Sequence, residues 1–568
     1  MRQQLIDLRQ KMQENGFDAY LIPTTDFHGS EYVNDYFKCR KFVSGFTGSA
    51  GTLIVTAHEA KLWTDGRYFL QAAAQLEGTG IDLMKSGQPG VPTMIEYLKS
   101  VLSDGQVLAF DGRVMDFGFG SELESHFAIA YEKDLVDEIW EDRPQIVPSK
   151  IYPLDDAVTG ESAASKLARV RAFMAEKGAD YHLTTKMEEI AWLYNLRGND
   201  VDNNPVFFSF ALITPTEDRL YVMDEGFDGG LPYLQIFDDI KKLPAGKMLL
   251  DESVVSYALI KMLPEEVSVI SEENPVSLMK TLKNPTEIAA TKNAHLKDGA
   301  AMVNFIYWLK QHIDSEEMTE ISAADYLESC RRAEDGCYDI SFETISGYGS
   351  NGAIIHYFAT PETNKTLAPE GFLLVDSGGQ YTDGTTDITR TIALGPLTEE
   401  MKQHYTAVLQ CHIALSSASF NNGTTGAELD ALTRKPLQSL GLDYNHGTGH
   451  GVGHILSCHE GPQSISPRGS KYPILPGMIN SDEPGVYLEG KYGIRLENEI
   501  LCVELPSGKL GFEPITFCPF EREAIVVDML SEAERAWVND YHQAVYEKIS
   551  PLVSPETAAW LAEATAEI

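Results

Sequence analysis

The chain has 568 residues, 43% of them hydrophobic, with 84 acidic and 45 basic side chains and a formal net charge of −39. This length exceeds what one hydrophobic core usually supports, so we expect two to four domains. The acidic excess argues against a nucleic-acid partner. Because the sequence lacks a signal-like N-terminus and an apolar run long enough to span a bilayer, it predicts a soluble, cytoplasmic protein with no membrane partner.

Two segments in the first half of the chain follow the same order of elements. In the first, apolar residues at helical spacing over 5–12 precede Gly16, which can end a helix, and a predicted strand at 19–22. About 160 residues further on, residues 174–185 repeat the order of helix, glycine, strand and Thr-Thr. Later elements match in the same order. The sequence therefore predicts two tandem α/β domains of common design.

A third domain is predicted to begin with a long helix over 287–311. Pro285 is tolerated at a helix entry, and Thr286 is the predicted N-terminal cap. Further helices are predicted at 323–333, 399–417 and 426–433, mixed with short strands, and amphipathic helices at 531–568 with Trp537 and Trp560 as packing anchors. This is the pattern of an α+β domain. The predicted domain boundaries are 1–155, 156–283 and 284–568.

The third domain contains a set of residues suited to binding two metal ions. An apolar run leads to Asp376, and a second run follows Asp387, which indicates a β-hairpin or two adjacent strands. A buried carboxylate is costly unless a cation or a proton compensates it. A turn or capping role is the better interpretation of any one such Asp alone. The full set of metal-ligand-type residues is Asp376, Asp387, His450, Glu483 and Glu497.

Four carboxylates and one imidazole supply both bridging and terminal ligands for two divalent cations about 3.5–4 Å apart. The oxygen-rich set favours manganese, with cobalt or zinc possible, because ligand softness steers the choice of metal. The 7 cysteines are never spaced Cys-x-x-Cys, which favours reduced thiols over a disulfide framework or a thiolate metal site.

Two other motifs are interpreted as structural. Residues 347–352 fit G-x-G-x-x-G, but a strand pattern at 353–358 follows instead of a helix, so we predict a close-packed turn and no dinucleotide site. Residues 446–450 (HGTGH) have the histidine spacing of a zincin but lack its glutamate, which indicates a loop or strand edge. Position alone does not rank the five histidines near the ligand set, which are His356, His446, His450, His454 and His459.

The chain resembles the Xaa-Pro aminopeptidases (aminopeptidase P), in their long three-domain cytosolic form. In the N-terminal half the resemblance rests on residues 45–51, 62–68, 190–198 and 204–208. In the third domain it rests on residues 351–357, 376–378, 385–390, 446–453, 459–462, 482–485 and 493–497. The resemblance implies two creatinase-like N-terminal α/β domains, with dimerisation and gating roles, followed by a pita-bread catalytic domain. It also implies a homodimer and release of the N-terminal residue from short peptides with proline at the second position.

The resemblance also assigns roles to individual residues. Asp387 and Glu497 match bridging ligands of two ions, usually manganese, and Asp376 matches a terminal ligand of one ion. His450 and Glu483 match terminal ligands of the other ion, and Glu483 is the implied proton acceptor for an attacking hydroxide held between the ions. The implied substrate-binding residues are His356 and His459, which also handle protons, and His446 and Arg495, whereas His454 is left as structural.

Two alternatives remain open from the sequence. A prolidase that accepts only Xaa-Pro dipeptides shares the five ligands and most of the histidines, and hydrolysis of a tripeptide separates it from an aminopeptidase. A non-catalytic peptide-binding module with the same catalytic-domain fold is the other alternative, and such modules have lost ligands. All five ligand positions are intact in this chain.

Overall fold

The computed structural model describes residues 1–568. It divides into two compact units, one of Met1–Asp156 with Glu161–Ser277 and one of Ala157–Gly160 with Leu278–Ile568. None of its helices combines the length and the apolar character that crossing a lipid bilayer requires.

The first unit contains two six-stranded sheets of identical topology. From edge to edge, the strands of the first sheet are Asp82–Lys85, Ala60–Thr64, Thr52–Thr56, Ala19–Ile22, Val107–Ala109 and Ala128–Ala130. Those of the second sheet are Leu231–Pro232, Asp218–Val222, Ser209–Ile213, Tyr181–Thr184, Gly246–Leu250 and Val267–Ser271. In each sheet the first strand in the chain pairs antiparallel on one side and parallel on the other. This shared order confirms the predicted tandem α/β design.

The helix before the first strand of each sheet ends in the same way. Gly16 (φ 72°) follows Gln3–Asn15, and Gly178 (φ 66°) follows Ala163–Lys177. The left-handed conformation at both positions favours glycine, which turns the chain directly into the strand. The remaining helices within this unit are Cys39–Ser44, Phe69–Gln75, Met94–Val101, Phe117–Glu124, Met187–Leu193, Ile236–Asp239 and Tyr257–Lys261. Two more helices, Asp156–Thr159 and Pro275–Thr281, include residues assigned to each unit.

The second unit begins its main helix at Pro285–His312. The predicted cap, Thr286, is wrong: the Asn284 side chain caps the helix by accepting from the backbone N–H groups of Thr286 and Glu287. The Glu287 side chain accepts in turn from the Asn284 N–H group, at 2.9 Å. Asn284 is the cap because it precedes Pro285. The proline then occupies the first helical turn, where its missing N–H costs nothing.

Short sheets and flanking helices complete the second unit. Its six-stranded sheet has the order Ser419–Phe420, Leu510–Pro514, Asn498–Glu504, Ile479–Asp482, Gly449–Gly451 and Glu460–Ile465. The smaller sheets are formed by Ile345–Tyr348, Phe372–Ser377 and Ile388–Ala393, by Cys337–Ile340, Gly379–Tyr381 and Gly384–Thr385, and by Gly485–Leu488 and Tyr492–Arg495. The helices are Glu320–Arg332, Glu399–Ser416, Gly426–Thr433, Lys435–Ser439, Glu532–Ile549 and Pro555–Ala564. Trp537 and Trp560 of the last two helices pack against the main core, as predicted.

The glycine-rich segment 347–352 is closely packed, as predicted, although it consists of the end of the strand Ile345–Tyr348 and a 3-10 helix; the strand predicted at 353–358 is wrong. Gly349–Ala353 forms a 3-10 helix, and no strand follows it before Phe372. A Cβ atom at Gly493 would lie only 1.8 Å from the carbonyl oxygen of Gly352, so two backbones meet at that point. Ile355 and Tyr357 are therefore buried in an irregular segment, which local periodicity does not reveal.

Candidate metal centre

Two adjacent antiparallel strands place the first two predicted ligands. Asp376 lies near the end of Phe372–Ser377 and pairs with Thr389, while Asp387 immediately precedes the partner strand Ile388–Ala393. Both carboxylates are buried. Carboxylate oxygens of Asp376, Asp387 and Glu497 all lie within 4.8 Å of one another. The apolar strand residues around these acids hold them in the interior.

The remaining ligands come from the six-stranded sheet. Asp482 pairs with Asn498, so that Glu483, just after one strand, and Glu497, just before the other, are neighbours. Ligand atoms of His450, Glu483 and Glu497 lie within 4.8 Å of one another. Because Glu497 belongs to this group and to the group with Asp376, all five predicted ligands form one continuous cluster.

The donor set fits divalent cations. The pKa of Glu497 is well above its usual range because of burial and the nearby carboxylates, and burial raises the pKa of Glu483 to about 7. Burial also raises the pKa of Asp376. Oxygens Oδ1 of Asp376 and of Asp387 are buried and receive no hydrogen bond. Buried acids that repel one another and retain unused oxygens are stabilised by hard cations.

The imidazole of His450 is oriented toward the acids. Its Nδ1 atom donates to the carbonyl of Gly451 at 2.9 Å, which turns Nε2 toward Asp387 (3.4 Å) and Glu483 (3.7 Å). Burial acts to lower the pKa of His450, but the two carboxylates outweigh it and raise the pKa to about 10. A metal-binding histidine usually donates its other ring N–H to a carboxylate, a backbone carbonyl or water, as Nδ1 of His450 does here.

Arg495 and His446 lie on one hydrogen-bonded chain that ends at Asp376. The Arg495 guanidinium contacts Oδ2 of Asp376 at 2.5 Å and donates to the Tyr487 hydroxyl at 2.8 Å. The same hydroxyl lies 2.8 Å from Nε2 of His446. The guanidinium therefore occupies one carboxylate oxygen of Asp376 and leaves Oδ1 for another partner.

The other histidines differ in their placement. The ring of His459 lies 4.2 Å from that of His450, centroid to centroid, and a ring nitrogen of His459 is within 4.8 Å of ligand atoms of Asp387 and His450. His356 is half-buried and follows Ile355, whose carbonyl accepts from Arg495 at 3.5 Å. His454 is buried, and its Nδ1 atom is 3.0 Å from the Thr291 hydroxyl.

Some side chains in or near the cluster were not found from the sequence. The Thr389 hydroxyl donates to Oε2 of Glu497 at 2.6 Å, and the Cys458 thiol donates to Oδ2 of Asp387 at 3.0 Å. Glu460, next to His459, forms a buried ion pair with Lys280 at 2.7 Å and another with Lys283. Strand alternation from Asp387 could have indicated Thr389, whereas the other contacts join distant parts of the chain.

Family models match nearly the whole chain. Residues 289–504 match metallopeptidase family M24, and residues 508–568 match the C-terminal region of that family. Residues 5–143 and 142–287 each match a creatinase/prolidase N-terminal domain. Fold, ligand cluster and family models together define a metallopeptidase with two creatinase-like N-terminal domains, as the sequence predicted.

Individual relatives cover the full length. A Laccaria bicolor protein called probable Xaa-Pro aminopeptidase P is 39% identical over 98% of this chain and 92% of its own. The crystal structure of X-prolyl aminopeptidase from Caenorhabditis elegans matches 100% of this chain and 99% of that chain, with a TM-score of 0.95 and 34% identity. That protein is described as a cytosolic enzyme with a di-nuclear active site. The prolidase from Pyrococcus horikoshii shares the fold over 63% of this chain and 99% of its own, with a TM-score of 0.51 and 24% identity. The chain belongs to the Xaa-Pro aminopeptidase P family, so the resemblance stated from its motifs is confirmed.

Proposed function

We propose that this chain is an Xaa-Pro aminopeptidase that releases the N-terminal residue from short peptides with proline at the second position. The observation that carries the proposal is the convergence of four carboxylates and one imidazole in a family M24 domain. The names of the full-length relatives support the preference for proline. The intact ligand set favours catalysis over a binding role.

We assign two divalent cations, most simply manganese, to the cluster. Asp387 and Glu497 would hold both ions, because each of them lies within 4.8 Å both of Asp376 and of His450. Asp376 would complete the site of one ion, and His450 with Glu483 the site of the other. Carboxylate oxygens with a single imidazole suit manganese, and the di-nuclear active site described for the Caenorhabditis elegans enzyme supports the number of ions.

The surrounding residues have distinct tasks in this proposal. When bound, the two ions activate a water molecule as the nucleophile and polarise the scissile carbonyl. Glu483 accepts the proton of that water. His459 and His356 bind the substrate and move protons toward the leaving nitrogen, which needs a donor before the peptide bond breaks.

Two further residues line the site. Arg495 fixes the orientation of Asp376 through their 2.5 Å ion pair. His446, linked to Arg495 through Tyr487, is assigned to the substrate-binding wall.

The remaining assignments concern the whole chain. We infer domain boundaries at 155/156 and 283/284, whereas the two N-terminal family models match residues 5–143 and 142–287. We also propose a cytoplasmic location, since the Caenorhabditis elegans relative is described as cytosolic, and a homodimer with peptides as its other partners. Size-exclusion chromatography with light scattering tests the homodimer, and a mass of one chain, near 62.8 kDa, contradicts it.

Product analysis on three matched peptides tests the activity. The manganese-loaded protein should release the first residue from Xaa-Pro-Yaa and leave Xaa-Ala-Yaa intact, and the chelated protein should cleave neither. Cleavage of Xaa-Pro alone, with the tripeptide untouched, identifies a prolidase instead. Full activity after exhaustive chelation, with no bound metal, contradicts the metal-dependent mechanism.

A further inference from the structure

A buried carboxylate outside the metal cluster binds an unusual set of partners. Glu320 is the first residue of the helix Glu320–Arg332 and is 0% exposed. It accepts five hydrogen bonds from four neutral groups and none from a cationic side chain. Ionised carboxylates are costly to bury, and several donors together with a helix N-terminus offset that cost.

All four donor groups belong to one segment of the chain, residues 348–365. They are the backbone N–H of Tyr348 (2.7 Å), the side-chain amide of Asn351 (3.0 Å to each oxygen), the hydroxyl of Tyr357 (2.8 Å) and the backbone N–H of Lys365 (2.9 Å). One carboxylate therefore joins the beginning, the middle and the end of a segment that, after the strand ends at Tyr348, has no strand or α-helix until Phe372.

The same segment is held from a second direction by the strand Tyr492–Arg495. The backbone of Gly352 packs directly against that of Gly493, and Arg495 donates to the carbonyl of Ile355 at 3.5 Å. His356 lies between Ile355, which contacts Arg495, and Tyr357, which contacts Glu320. Its backbone is thus fixed on both sides within one residue.

We propose that Glu320 is a positioning residue for His356: it anchors the irregular segment so that the imidazole of His356 meets the substrate beside the metal centre. This inference rests on the substrate-binding role proposed for His356. Glu320 itself touches neither the ligands nor the substrate. A glutamine keeps the size of the side chain but turns an N–H₂ group toward donors, which breaks the arrangement without leaving a cavity.

A double-mutant cycle on cleavage of Xaa-Pro-Yaa tests this inference. Glu320→Gln should lower kcat/KM by about 10–100-fold, the usual effect of removing a residue that orients an active-site group, with unchanged manganese per chain. In a His356→Ala background the same substitution should change kcat/KM hardly at all, because the residue that it positions is already gone. Losses that multiply in the double variant would show that Glu320 acts elsewhere and would overturn the inference.

A second pair of variants decides the question even where Glu320→Gln does not fold. Tyr357→Phe removes one donor to Glu320, whereas Tyr348→Phe removes only a hydroxyl that bonds the carbonyl of Glu370 at 3.0 Å. Tyr357→Phe should lower kcat/KM, and this effect should disappear when His356 is already replaced by alanine. Tyr348→Phe should leave kcat/KM unchanged. Equal effects of the two changes overturn the inference. Failure of the proposed function is a separate outcome. In that case the unsubstituted, metal-loaded protein already fails to cleave the tripeptide, before any substitution is made, and the inference falls with the function.

Discussion

Replacing Thr389 by valine should weaken metal binding without removing a ligand. The Thr389 hydroxyl donates to Oε2 of Glu497 at 2.6 Å and accepts from Nε of Arg495 at 3.2 Å, in a fully buried position. Valine has nearly the same volume but no hydroxyl. Glu497 then loses a donor that favours its ionised form, so its pKa rises further and protons compete better with cations for its oxygens.

The size of the effect follows from the charge on the acceptor. A hydrogen bond to a charged group contributes about 1.5–3 kcal/mol, and about 1.4 kcal/mol corresponds to a factor of ten in affinity. Thr389→Val should therefore bind manganese about 10–150-fold more weakly near neutral pH. The loss should shrink at higher pH, where Glu497 is ionised in both proteins.

Calorimetric titration of the metal-free proteins with Mn(II) measures the change in manganese affinity. The same strand offers a matched control. The Thr391 hydroxyl is also buried, but it exchanges hydrogen bonds with the backbone carbonyl (2.9 Å) and N–H (3.1 Å) of Arg495. Thr391→Val should lower the free energy of unfolding and leave metal affinity unchanged. Equal weakening by both substitutions, or normal affinity in Thr389→Val, would refute the assignment of Glu497 as an ion-binding residue.

Three other outcomes are expected. Asp387→Asn should reduce turnover by orders of magnitude even at saturating manganese, because in the proposed centre both ions share the charge that it removes, and near-normal turnover would count against the bridging role. Burial lowers the pKa of His182 to about 4, whereas the same ring in the unfolded chain has a pKa of about 6.5. Between these two pH values the unfolded chain binds a proton that the folded protein does not. The free energy of unfolding is therefore highest above about pH 6.5 and falls as the pH falls toward about 4. In His182→Gln the free energy of unfolding, measured with urea, should fall by about 3 kcal/mol less than in the unsubstituted protein between about pH 6.5 and pH 4. An unchanged pH profile would contradict the burial argument. Leu409→Ala, at a 0% exposed core position, should cost about 2–5 kcal/mol in the same assay, and a loss below 1 kcal/mol would show a loosely packed core.

Features that depend on neighbours in the chain were predictable from the sequence. The helix of Leu5, Leu8 and Met12, its end at Gly16 and the following strand all appear where periodicity and the glycine placed them. The predicted cap of Pro285–His312, Thr286, is wrong, since cap-forming residues lie on both sides of the proline. Only the geometry of the first turn separates them, and in it Asn284 precedes the proline.

Features that depend on distant contacts were not predictable. The segment 353–358 has the apolar pattern of a strand, but close approach of Gly493 to Gly352 forces an irregular path. The ligand types were recognisable as a set, because burying a carboxylate is costly unless a cation or a proton compensates it. The contacts of Cys458 with Asp387 and of Glu320 with residues 348–365 join parts of the chain that no local pattern connects.

The metal centre takes its geometry from pairing between strands whose other residues form the core. The register that pairs Asp376 with Thr389 brings Asp376 and Asp387 together, and the register that pairs Asp482 with Asn498 brings Glu483 beside Glu497. A slip of one residue in either pair would exchange the two faces of a strand that is buried on both sides, so the apolar side chains would lose their packing partners and the ligands their neighbours. The free energy of burying the apolar side chains therefore fixes the register and, with it, the positions of the acids. The same free energy offsets the mutual repulsion of the acids before a cation binds. A ligand substitution should for this reason impair metal binding far more than folding, whereas a core substitution in Phe372–Ser377 should impair both.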